Sequence, residues 1–338
     1  MNKKEFTGGF VSPGSFFRLF TQIQLLPVME SGEETLVGGQ AVMEGVMMRA
    51  PHSYCVAVRK PSGEIVTEQM PLARMSEMHK IFKLPLFRGV GTLFQAMKLG
   101  MKALRFSTEA ALADTLKKSP EAEAKPIPDW VIAGPLIFSL LAFIVMYKVV
   151  PVYLARQLHG VSPILAGHFM STVVEGIIRI TILVAFVYFA SLMKDMRRMF
   201  EYHGAEHKVV FNFESHEPVT VENAQRFTTY HPRCGTSFLI VMMILTIPIY
   251  ALIPFTAMLP MILTRIALIP FVVGLSYEII KFAAKHPGSL LTVITAPGLW
   301  LQRITTKPPA DDQAAVAIHA LEGAMALEES QGGDLVIA

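Results

Sequence analysis

Four stretches of the chain stay apolar for about 20 residues at a time, the length of helix that crosses a bilayer. They run over 130–150, 172–193, 237–253 and 258–277. Trp130 opens the first at an expected interface. The second contains Glu175 and Arg179, four residues apart on one helix face, and the fourth contains Arg265. A few residues around Pro254 join the last two, so a tight helical hairpin is expected. The charges inside these spans are read in two ways, as an ion pair that fixes helix rotation or as a polar path.

Between and around the spans the pattern changes. Ser53–Lys60 and Glu64–Met70 read as two strands joined by Pro61-Ser62-Gly63, a turn sequence. Ahead of them, Gly38-Gly-Gln-Ala-Val-Met-Glu-Gly-Val-Met-Met-Arg49 sets Gln40, Glu44 and Arg49 among apolar residues, which fits a buried polar turn. It lacks the glycine-lysine spacing of a phosphate loop. Over 80–105 there is no acidic residue, and Val90, Leu93, Phe94, Met97, Met101 and Leu104 recur at helical spacing beside Lys98, Lys102 and Arg105. Such a helix either lies in the interface and attracts anionic lipid headgroups, or packs on the protein's own core with a solvated basic face. Ala296-Pro-Gly-Leu-Trp300 reads as a turn, and Asp311–Glu329 as an amphipathic alanine-rich helix capped by Asp311 or Asp312 and docked on the soluble part.

The chain therefore divides into an interfacial or disordered lead over 1–35, a cytoplasmic α+β region over 36–128, two spans over 129–194, a polar loop over 195–236, two further spans over 237–278 and a cytoplasmic tail over 279–338. The expected fold is an α-helical polytopic membrane protein of about four transmembrane helices with a small cytoplasmic α+β portion.

Composition agrees. Of 338 residues, 52% are hydrophobic and 17% charged, against about 25% charged in a soluble domain. Lys194, Arg197, Arg198, Lys208, Arg226 and Arg233 crowd the loop between spans two and three, and Lys281, Lys285, Arg303 and Lys307 follow the fourth. The loop after the first span has only Arg156. Positive charge gathers on the cytoplasmic side, so both termini and the central loop are expected there, in a cell (inner) membrane. A net charge of +3 gives no reason to expect nucleic acid as a partner; the lipid bilayer is the expected one. Two cysteines, Cys55 and Cys234, make no disulfide framework.

The candidate chemistry lies in the central loop. In Glu201-Tyr-His-Gly-Ala-Glu-His207 the two histidines stand four apart on one helix face, and His231-Pro-Arg-Cys234 offers a second pair. His203, His207, His231 and Cys234 form a four-ligand candidate for a divalent metal, zinc first. His203-x-x-Glu206-His207 is the inverted form of a zinc-protease helix motif, which makes Glu206 a candidate general base. Four protein ligands would close a tetrahedral shell, and closed shells are usually structural; catalysis needs an open position, with Glu201, Glu206 and His216 as spare groups. Gln40, Glu44 and Arg49 are candidates for lining the approach.

The Gly38–Arg49 run, Phe87-Arg-Gly-Val90, Glu201–His207, His231-Pro-Arg-Cys-Gly-Thr-Ser237 and Pro297-Gly-Leu-Trp-Leu-Gln302 resemble the YqhQ-like family of bacterial membrane proteins, a likeness that covers about 37–321. The resemblance implies the membrane architecture and a metal-dependent enzyme, but no reaction and no catalytic residues. The leading expectation is thus a zinc hydrolase at the cytoplasmic membrane interface. The alternatives are a membrane scaffold or lipid-binding protein with a structural metal site, or a small-solute transporter that uses Glu175, Arg179 and Arg265.

Overall fold

The computed structural model describes residues 37–73, 75–117, 138, 141–253, 255, 257–286 and 289–330. The lead over 1–35, the linker over 119–128 and the opening of the first apolar stretch at Trp130 lie outside them. Most of the described chain is helical, with one small sheet.

The sheet is an antiparallel meander of β1 (Gly38–Val42), β2 (Gly45–Arg49), β3 (Ser53–Arg59) and β4 (Ile65–Pro71). The expected turn at 61–63 joins β3 to β4, with Gly63 at φ +91° and its N–H donating to the Lys60 carbonyl at 2.9 Å. The Gly38–Arg49 run is not a polar turn but a hairpin, pairing Gly38 with Arg49 and Val42 with Gly45. Glu44 sits at its tip with φ +54°, and its carboxylate is held by Arg198 and by the Tyr202 hydroxyl at 3.4 Å.

Both faces of the sheet are covered, which is why β2 and β3 are apolar almost without alternation. Met47, Tyr54, Val56 and Val58 face α1 (Phe87–Lys117) through Leu99, Ala103 and Ala110. Val46, Met48, Cys55 and Ala57 face two other helices. These are the one that follows the second apolar stretch and the last one of the described chain.

Between them lie the apolar helices. Two are long and apolar enough to cross a membrane: α2 (Leu141–Gly160) and α3 (His168–Ser191). The first runs on past residue 150, the expected end of its apolar stretch. It passes through Pro151, which lacks an N–H, behind a π-helical turn over Val145–Val149, and so takes Arg156 into the helix instead of a loop. Helix α3 does not run on into the His/Glu motif: Met193, whose ψ of 135° is extended, separates it from α4 (Lys194–Glu214). The third apolar stretch is α5 (Gly235–Ala251), a shorter helix of 17 residues. The fourth is a bent pair, α6 (Met258–Ala267) and α7 (Ile269–Lys285), angled by 45° and countable as one further candidate span.

Glu175, Arg179 and Arg265 are all buried in this bundle. Glu175 pairs with Arg179 on its own helix and accepts from Arg265 Nη1 at 2.6 Å, so one carboxylate ties α3 to α6. Arg179 Nη1 also donates to Thr246 Oγ1 of α5 at 2.9 Å.

Two helices close the chain. The segment expected to turn at 296–300 is instead part of α8 (Leu290–Thr305), with Pro297 inside it. Local turn chemistry is overridden by packing: Gly298 lies flat against Ser237 of α5, where a Cβ would find Ser237 Cα at 2.6 Å. Last comes α9 (Asp311–Ser330), which docks on the sheet as expected but is buried on most sides by the sheet, α4 and the short helix Val221–Arg226. Its alanines suit that crowding. Near its end Glu328, 1% exposed, accepts from the His52 N–H at 2.9 Å and the Ser53 hydroxyl at 2.9 Å, so it caps the entry to β3.

Burial pushes the Glu328 carboxyl up, but the hydrogen bonds from His52 and Ser53 outweigh it and hold the group below its ordinary value. A carboxyl lowered by folding stabilises fully above its unfolded pKa and loses that contribution as pH falls through the folded one. Glu328→Gln should therefore cost about 1.5–3 kcal/mol near pH 7. The gap to wild type, read by thermal melts, should close below about pH 4.

Candidate metal centre

Helix α4 carries His203 and His207 one turn apart, with ring centroids 4.5 Å from each other. Each ring is aimed by a main-chain carbonyl. His203 Nδ1 donates to Thr305 O at 2.8 Å, and His207 Nδ1 donates to Thr229 O. A carbonyl only accepts, so each Nδ1 keeps its hydrogen and each Nε2 keeps its lone pair. That is the outer-sphere arrangement by which proteins orient metal-binding imidazoles.

Cys234, which caps the start of α5, brings its Sγ to 3.2 Å from His203 Nε2. One ligand atom each from His203, His207 and Cys234 lie within 4.8 Å of one another. Zinc bonds of about 2.0–2.3 Å in a tetrahedron need ligand separations of about 3.3–3.8 Å, the range that these contacts bracket. The other cysteine is elsewhere: Cys55 is buried under α9, and burial pushes its thiol up to about 12, as an inert core residue.

His231 stands beside this trio but not in it. Its Nδ1 accepts the Arg233 main-chain N–H at 3.3 Å, so its neutral form carries the proton on Nε2. That Nε2 makes no hydrogen bond, and Glu214 Oε2 lies 3.6 Å away. His231 lies outside the three groups whose ligand atoms come within 4.8 Å of one another, so the structure does not gather the four-ligand set expected from the sequence. Its backbone is clamped by Gln302 of α8, which accepts from His231 N and donates to His231 O, both at 2.8 Å. Gln302 also donates to Ser237 Oγ at 2.8 Å.

Glu206 is 5% exposed, with Oε2 3.4 Å from His207 Nε2. It accepts the Gly39 main-chain N–H, a contact made across the edge of β1. Burial raises its pKa against the pull of His203, His231 and Arg233. Burial also lowers His207 and His231, opposed at His207 by the Cys234 thiol and at His231 by Glu206. A carboxyl that holds its proton more tightly and imidazoles that stay neutral are the states suited to proton transfer and to metal binding respectively.

A cavity of about 210 Å³ opens over these groups. Gln40 and Arg49 of the hairpin line it with Arg233, while Ala96 and Leu99 of α1 form an apolar wall. Of the four outer residues expected to approach the site, Gln40 and Arg49 do so. Glu44 holds the hairpin tip, and Glu201 accepts from Gln313 of α9 at 3.1 Å, so neither borders the cavity. Sequence reasoning gave no role at the site to Gln302 or to the carbonyls of Thr229 and Thr305, and met Gly39 only as part of a glycine-rich run and Gln302 only as the end of the Pro297–Gln302 block.

Residues 84–327 match a family described as "Protein of unknown function (DUF1385)". The chain belongs to that family. It is 35% identical over 301 residues to the Uncharacterized protein YqhQ of Bacillus subtilis (strain 168), a match that covers 86% of this chain and 92% of the relative. No solved structure matches it.

Within this family fold, Gly204 lets α4 approach the chain beyond α8: a Cβ there would strike the Lys307 carbonyl oxygen. Helix propensity alone gives Gly204→Ala a gain of about 1 kcal/mol. The collision should reverse the sign, and thermal melts should show a lower Tm.

Proposed function

We propose that this chain is a four-span membrane protein whose cytoplasmic face holds one zinc ion and carries out a metal-dependent hydrolysis there. The observation that carries the reading is the trio His203, His207 and Cys234, with both imidazole tautomers fixed and a buried carboxyl at its side. Three protein ligands leave the fourth vertex open, the mark of catalytic rather than structural zinc.

The ion would supply Lewis acidity and lower the cost of deprotonating water. Glu206 would accept that proton and return it to the leaving group, a task its raised pKa suits. Arg49 and Arg233 line the cavity, Arg233 paired there with Glu214.

The membrane reading has its own support. Phe169, Phe186, Phe189, Leu252, Leu259 and Leu263 are exposed while Glu175, Arg179 and Arg265 are buried, the inverse of a water-soluble surface. Four spans require α5 to cross despite its length and α6 with α7 to cross as one bent helix. The positive charge of the loops favours both termini in the cytoplasm of the cell membrane.

A second reading has one observation behind it. His231 is next to the trio, its ring centroid 5.5 Å from that of His207. If its ring moves in to take the fourth vertex it closes the shell, and the metal becomes structural in a scaffold or lipid-binding protein.

Metal content by elemental mass spectrometry separates the two. The hydrolase reading expects about one zinc per chain, lost in Cys234→Ala and kept in His231→Ala and Glu206→Gln. Glu206→Gln should also fail to complement a deletion strain while melting like wild type. Loss of zinc in His231→Ala, with a complementing Glu206→Gln, would make the site a structural one.

A further inference from the structure

The stripe of apolar residues on α1 does not face the core. The helix buries Leu99, Ala103, Ser107 and Ala110 against the sheet side of the molecule. It leaves Phe94, Met97, Met101 and Leu104 exposed by 60%, 61%, 63% and 46%. Their spacing of three, four and three residues puts them in one row. The row is continued upstream by exposed Ile81, Leu84 and Phe87.

The charge beside this row has one sign. Between Lys80 and Thr108 there is no Asp or Glu, and Lys98 and Lys102 are exposed and have no carboxylate partner among the described residues. Arg105 is paired with Glu109 on its own helix. An apolar row edged by lysines matches an anionic lipid surface, with ammonium groups at the headgroups and methionines below them.

The position of the helix agrees with that partner. Its first turn is fastened to α7, the second half of the bent apolar pair: Arg88 pairs with Glu278, and Gly89 lies against Tyr277. The row thus starts beside the end of a candidate span that the charge pattern assigns to the cytoplasmic side.

We infer that α1 lies flat in the cytoplasmic headgroup layer, with Phe94, Met97, Met101 and Leu104 in the acyl boundary and Lys98 and Lys102 on anionic headgroups. The inference rests on the membrane reading given above. It adds that the opposite face of the same helix, through Ala96 and Leu99, walls the metal cavity, so the bilayer and the cavity share one helix.

The test uses the full chain in vesicles of phosphatidylcholine with phosphatidylglycerol, with Trp130 and Trp300, its two tryptophans, replaced by Phe. Single reporters are Met97→Trp on α1 and Phe186→Trp on α3. Lipids brominated on the acyl chain should quench both, and iodide in the water should quench neither. In Lys98→Glu/Lys102→Glu the Met97→Trp signal should lose its dependence on phosphatidylglycerol and become open to iodide. If bromine quenches Phe186→Trp while iodide quenches Met97→Trp, the membrane reading stands and the helix is in water, which overturns the inference. If Met97→Trp is shielded from both quenchers, protein covers the face, and the inference also falls. If bromine fails to quench Phe186→Trp, the membrane reading goes, and the inference with it.

Discussion

A helix with no side open to water must find a partner inside the protein for every polar group it carries, because an unmet buried donor or acceptor costs about 1–3 kcal/mol. From Tyr202 to Asn212 helix α4 is under that constraint, although its first turns are exposed at Lys194, Asp195, Arg197 and Arg198. Tyr202, Ala205, Val209 and Val210 join the core, and Glu206, His207, Lys208 and Asn212 are buried with them. Each polar side chain is met by backbone from a different part of the chain. Glu206 takes Gly39 N–H, His207 gives to Thr229 O, and Lys208 Nζ gives to the carbonyls of Gln225 and Phe227 at 2.7 Å each. Asn212 gives to Glu217 O at 3.3 Å. The loop that carries His231 and Cys234 is shaped by these bonds, so the candidate site and the solvation of α4 are one problem.

The helical bundle is bound by a similar rule at its own depth. Glu175 is shared by two guanidiniums, and the Tyr250 ring lies under Arg179, Arg265 and Lys148 at 5.5, 4.9 and 5.2 Å. Removing the one carboxylate would leave buried cations facing each other, so the bundle depends on Glu175 more than on any apolar contact.

Local signals carried through to the structure where they were self-contained. The 61–63 turn, the strands beside it and the paired His203 and His207 depend on neighbours two to four residues away, and all were legible. What depended on distant backbone was not. Gln40 and Glu44 look alike in a glycine-rich run, and only the register of β1 with β2 sets one at the cavity and the other at the hairpin tip. Pro297-Gly298 has every mark of a turn until Ser237 is packed against it. His231 resembles the other histidines in composition, yet the Arg233 N–H reverses the nitrogen that bears its proton. Helix α9 looked amphipathic by its charges, but the elements around it bury most of its circumference.

The docking of α9 on the sheet has a consequence for how the molecule is made. Val46, Met48, Cys55 and Ala57 emerge near the beginning of the chain, and the residues that cover them, from Val316 to Ala324, emerge near its end. During synthesis the sheet must wait with one apolar face bare while all the intervening helices are produced. Such long-range closure is slow and leaves the intermediate open to aggregation. Helix α4 shares that face. A chain that ends before residue 311 would carry every candidate ligand of the site but lack the helix that covers this face of the sheet.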